Sequence, residues 1–136
     1  MEKFKKAYIY LQSEIINIDK KIQSKFEKLG EEGAELYALI STYYNQYKRF
    51  KINLNCYKLS RELKEKELNR QENTWEILCE VLDKYLSEND AKETKELYQN
   101  MVSKEIDCEI LKGKKFFKKH KILKEVELKE NSELVL

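Results

Sequence analysis

Residues Leu36 to Arg61 read LYALISTYYNQYKRFKINLNCYKLSR, a stretch with no acidic side chain in a chain that carries 25 of them. Leu36, Ile40, Tyr43, Tyr47, Phe50, Leu54 and Tyr57 recur in alternating steps of four and three, the seam of a helix packed on a partner helix. Tyr37, Tyr44, Lys48, Lys51, Asn55 and Lys58 lie beside that seam, within an arc of roughly 80° at about 100° per residue. One flank of this helix is therefore both aromatic and basic. The spacing predicts an all-α protein built around it.

Composition agrees with that prediction. The chain has 136 residues, one domain's length, with no proline and only three glycines, Gly30, Gly33 and Gly113. An all-β or α/β fold would need turn residues at many more places. Cys56, Cys79 and Cys108 are odd in number and in no C-x-x-C pairing, so they read as small buried residues of a reducing compartment rather than a disulfide or zinc framework. No run approaches the roughly 18 to 20 apolar residues of a membrane span, and MEKFKKAYIYLQSEI lacks a leader's small-residue cleavage site. The cytoplasm, or the interior of a host cell, is the expected compartment.

Outward from the deciding stretch, Phe4, Tyr8, Leu11, Ile15, Ile18 and Ile22 predict a first helix over 2–29, with Ile9 and Ile16 widening its stripe. Gly30 is placed to close it, and Gly33 follows before the pattern restarts, so helices 1 and 2 form an antiparallel hairpin. A second helix is expected over Glu32 to Asn69, its second half either projecting past helix 1 or turning toward other neighbours, with Asn53 and Asn55 the place for any kink. Asn73 and Glu76 form a capping box opening a short third helix over 74–87 that carries Trp75, Leu78 and Leu82. Asp90 and Glu93 repeat the box before a fourth helix over 91–112, which Gly113 ends. The expected architecture is a four-helix, bundle-like fold: a long antiparallel hairpin, a shorter helix pair and a basic C-terminal tail. Residues 1–113 form the helical domain, and 114–136 a lysine-rich tail or extra helix.

Net charge is only +2, but it is unevenly spread: −6 over residues 73–111 and +7 over 112–124. The lone His120 has no carboxylate or second histidine three or four residues away, and no glycine-rich loop exists to cradle phosphate. No enzyme, cofactor or metal site is expected. Tyr37, Tyr44, Lys48, Arg49, Lys51 and Lys58 are candidate contacts for a partner or a nucleic acid backbone, since lysines neutralise phosphates and tyrosines stack on unpaired bases. Lys114, Lys115, Lys118, Lys119 and Lys121, with Phe116 and Phe117 between them, form a second candidate patch. A membrane-surface role is disfavoured, because the tail's apolar face is broken and no lipidation signal accompanies it.

The leading expectation is a non-enzymatic helical protein that docks on another protein or complex, as adaptor, inhibitor or assembly subunit, with self-association included. It draws on the second half of helix 2, Cys56 to Leu68, whose apolar residues outrun helix 1 and need cover. A nucleic-acid-binding subunit is the alternative.

Overall fold

A computed structural model describes residues 2–113 and 121–129. Four helices of nearly equal length follow one another: α1 (Glu2–Glu27), α2 (Glu31–Cys56), α3 (Arg61–Tyr85) and α4 (Glu88–Lys112). A fifth, α5, spans residues 121–129, and no strand occurs among the described residues. The fold is an all-α bundle. α1 packs chiefly along α4 and α2 along α3, while α2 also crosses α4 and α1 never meets α3. Successive helices run antiparallel, as the pairing of the end of α1 with the start of α4 requires: Lys25 lies 3.3 Å from Asp90.

The apolar spacing explains which faces turn inward. Ile18, Ile22 and Phe26 of α1, Ile40 and Tyr47 of α2, Leu78 and Leu82 of α3, and Tyr98 and Val102 of α4 are all buried in one core. Each fully buried aliphatic or aromatic side chain stabilises by about 1.5–3 kcal/mol relative to exposure. α5 adds Ile122, Leu123 and Val126 to the same core, and Lys3 reaches Glu127 at 3.8 Å, so this segment lies against the start of α1.

The first turn meets expectation. Gly30 adopts φ 73°, a region that side chains avoid. Gly33 is required for a different reason: a Cβ there would stand 1.9 Å from the Phe26 carbonyl oxygen, so the first turn of α2 lies directly on the last turn of α1.

Three boundaries differ from the sequence reading. Helix 2 does not continue to Asn69; it ends at Cys56, the chain turns over 57–60, and α3 starts at Arg61. Ser60 drives the restart, its side chain accepting from the Leu63 amide and satisfying one of the donors a helix start leaves open. Asn53 and Asn55 mark no kink; their amides donate to Glu67 and to the Lys51 carbonyl. The box at Asn73 and Glu76 opens nothing, because it lies inside α3, where Thr74 donates to the Arg70 carbonyl one turn back. Likewise α4 is capped by Ser87, which accepts from the Asp90 amide, rather than by Asp90 itself. The shorter helix pair is thus as long as the first, and the two hairpins are equals.

Candidate functional site

Between Tyr47 and Thr74 not one residue is buried, although the interval holds Phe50, Ile52, Leu54, Cys56, Tyr57, Leu59, Leu63 and Leu68. The last turns of α2 and the first half of α3 pair with each other as a two-helix arm. A helix buries its apolar stripe only against another element, and a hairpin without a third layer leaves half of each stripe in water. Tyr57 is 55% exposed, Leu63 50% and Leu68 46%. Exposed apolar groups gathered in one place mark contact surfaces more often than scattered ones do.

The arm is also basic at its tip. Arg49, Lys58 and Arg61 are exposed and form no ion pair with a described residue, and Lys51 lies with its ammonium 5.7 Å from the Tyr47 ring centroid. Further along α3 the charges alternate and cancel locally, as where Arg70 meets Glu67 at 3.4 Å.

The aromatic half of the predicted flank lies elsewhere. Tyr44 is 4% exposed, stacked on Tyr98 with ring centroids 4.9 Å apart, and donates to Glu105 at 2.5 Å. Lys48 reaches the other oxygen of the same carboxylate at 3.4 Å. Tyr37 is half-buried against Phe26 and donates to Asp19 at 2.5 Å, with the Gln23 amide donating to its hydroxyl. The Tyr44 ring is committed to the bundle interior, and the half-buried Tyr37 ring keeps only part of its surface for a contact. Burial first, and then the neighbouring carboxylate, raises both phenols, Tyr44 well above the usual tyrosine range, so they stay protonated donors. Of the second patch, Lys121 is exposed on α5; Lys114, Lys115, Lys118 and Lys119 lie outside the described residues, as does His120.

Arg49, Lys51 and Lys58 lie together along the arm, whereas Tyr37, Tyr44 and Lys48 pair with carboxylates of α1 and α4. Tyr57, Arg61, Leu63 and Leu68 join them on the arm, because the chain turns back between Cys56 and Arg61. Ser60 was the available signal: a serine before a run of good helix formers marks a start, and a start there folds the apolar residues back beside the tip.

Chemistry elsewhere is sparse. Among the described residues no three His, Cys, Asp or Glu side chains converge as a metal group. Burial pushes the Cys108 thiol up to about 11 and raises Cys79 as well, which opposes the thiolate a nucleophile requires. A groove between α1 and α2, floored by Tyr98 and Met101, is lined by Asp19 and Glu105, both already taken by tyrosine hydroxyls. No described helix is long and apolar enough to cross a membrane. This defines the chain as a helical bundle with an uncovered, basic hairpin arm. No protein family, curated protein or solved structure matches it.

Proposed function

We propose that this is a non-enzymatic docking protein that grips a partner protein through the α2–α3 arm, as an adaptor, inhibitor or assembly subunit. The observation that carries the reading is the run from Lys48 to Asn73, in which apolar residues at helical spacing remain unburied. The chemistry of the arm describes its partner: an apolar strip to cover Tyr57, Leu63 and Leu68, rimmed by carboxylates for Arg49, Lys58 and Arg61. Rim charges steer the encounter and set its salt dependence, while the apolar centre sets the lifetime of the complex.

A nucleic-acid partner is the second reading, favoured by the same basic tip beside an exposed Tyr57 ring. The chain's near-neutral total charge argues against it, since proteins devoted to nucleic acid usually carry a strongly basic domain. One experiment separates the two. Full-length protein and a Lys51→Glu/Lys58→Glu/Arg61→Glu variant are titrated with generic single- and double-stranded nucleic acid over a salt series, and both are used to capture partners from the native host. Capture lost in the variant, with no nucleic acid bound at low salt, supports docking on protein. Tight nucleic acid binding that falls steeply with salt and vanishes in the variant overturns it in favour of the second reading.

A further inference from the structure

The opposite end of the molecule carries a surface that complements the arm. Where the α1–α2 turn meets the end of α3, Leu29, Leu36, Leu39 and Tyr85 line an open notch of about 510 Å³ together with Glu32 and Glu35. Leu29 is 38% exposed, Leu39 48% and Tyr85 50%, so the notch is as uncovered as the arm. Its charge is reversed: Glu31, Glu32 and Glu35 are exposed on the first turns of α2, whereas Lys28, the nearby cation on the α1 side, is drawn to Asp90 at 3.5 Å. Each surface keeps one opposing charge, Lys84 over the Tyr85 ring at the notch and Glu62 beside Arg61 at the tip, and neither reverses the local sign.

We infer that the chain self-associates head to tail, the tip of the arm in one copy (Tyr57, Lys58, Arg61, Leu63) docking into the notch of the next. This inference rests on the arm being a docking surface and names a second copy as its occupant. The same copy cannot satisfy both halves, because tip and notch lie at opposite ends of α2, whose 26 residues span about 39 Å at 1.5 Å per residue. A contact between two different surfaces does not close on itself as a twofold dimer does, so the assembly grows as a chain or closes as a ring. The notch offers far fewer than the roughly 20–30 residues a side of a standard stable interface. Association is therefore weak and concentration-dependent.

Sedimentation equilibrium on the full chain tests this directly. The weight-average mass is expected to rise above the 16.4 kDa of one chain with increasing concentration at low salt, and to fall back as salt screens the charges. Glu32→Lys/Glu35→Lys blocks the notch and Lys58→Glu/Arg61→Glu blocks the tip, so each variant alone remains at monomer mass. An equimolar mixture of the two regains association, because each reversed surface meets an opposite charge on the other variant. That recovery guards against misfolding as the cause of the loss, and circular dichroism of each variant checks it independently. A wild-type chain that stays monomeric at several hundred micromolar in low salt overturns the inference while leaving the arm reading to its own capture test. Association indifferent to both variants overturns the inference and removes the arm from self-assembly.

Discussion

Tyr44 on α2 donates its hydroxyl to Glu105 on α4, and Lys48, one turn along α2, holds the other oxygen of that carboxylate. The link ties the two helix pairs together where α2 crosses α4, between rings stacked 4.9 Å apart. Removing only the hydroxyl leaves Glu105 half-buried with one fewer partner. Tyr44→Phe is expected to lower stability by about 1–3 kcal/mol, the usual range for a hydrogen bond to a charged group, seen as a lower urea midpoint at unchanged slope. Docking through the arm should be unaffected, because Tyr44 is 4% exposed; loss of binding with stability intact would put Tyr44 back among the contacts.

Ser60 accepts from the Leu63 amide at 3.3 Å and begins the half of α3 that has no buried residue. With so little burial behind it, this segment depends on its cap more than α1 or α4 does. Ser60→Ala is expected to cost about 1 kcal/mol. In hydrogen exchange the amides of residues 49–72 should open faster than those of α1 and α4, and the substitution should speed the arm selectively. Uniform acceleration across all four helices would mean that the arm has no local stability of its own.

Much of the core was legible in the spacing alone. Ile18, Ile22, Ile40 and Tyr47 fall at their expected seam positions and are all buried, and Gly30 stands in the turn it was expected to make. The break after Cys56 was harder to see, because neither glycine nor proline enforces it and its one signal is Ser60, which acts through a single side-chain hydrogen bond. Asn73 and Glu76 misled for the converse reason: a capping box is a local preference, and packing of Trp75 on Tyr47 at 4.9 Å together with burial of Leu78 carries the helix straight through it. Tyr37 and Tyr44 were undecidable in principle. An amphipathic ring faces water or core according to where the carboxylates of Asp19 and Glu105 lie, and only the fold brings those together.

Asp90 joins the end of α1 to the start of α4. Hydrogen bonding to Lys25, chiefly, and the nearby Lys28 hold its carboxyl below the usual aspartate value. A folded-state value below the unfolded one means that the contribution is fully present above about pH 4. It is lost as pH falls through the lowered value, where the native state must take up a proton it had excluded. Acid unfolding followed by helical circular dichroism should therefore begin at higher pH in Lys25→Met than in wild type. An unchanged acid limb would show that the pair is too solvated to count.

Lys104 is the converse case, a lysine 8% exposed whose ammonium lies 4.0 Å from the Glu14 carboxylate. Burial, reinforced by Lys129, pushes its value below that of a free lysine, so native protein gains stability as pH rises through the lowered value towards 10.5. Lys104→Met keeps the aliphatic stem and removes the desolvated charge. It is expected to stabilise at neutral pH by about 1 kcal/mol and to abolish the alkaline gain. A destabilised variant would mean that the contact with Glu14 outweighs desolvation.

Leu63 and Leu78 sit on the same helix, 50% and 0% exposed respectively, and they separate docking from folding. Leu78→Ala empties a sealed position and should cost about 2–5 kcal/mol. Leu63→Glu together with Leu68→Glu removes apolar groups already half in water, and surface changes of this kind usually stay within about 0.5 kcal/mol each. If the arm exists to be covered by a partner, the double variant keeps the wild-type thermal midpoint within a few degrees yet loses association. If the two leucines instead hold the hairpin together, the midpoint falls in step with binding. A common fall would assign them to the core of the arm and leave Arg49, Tyr57, Lys58 and Arg61 as its contacts.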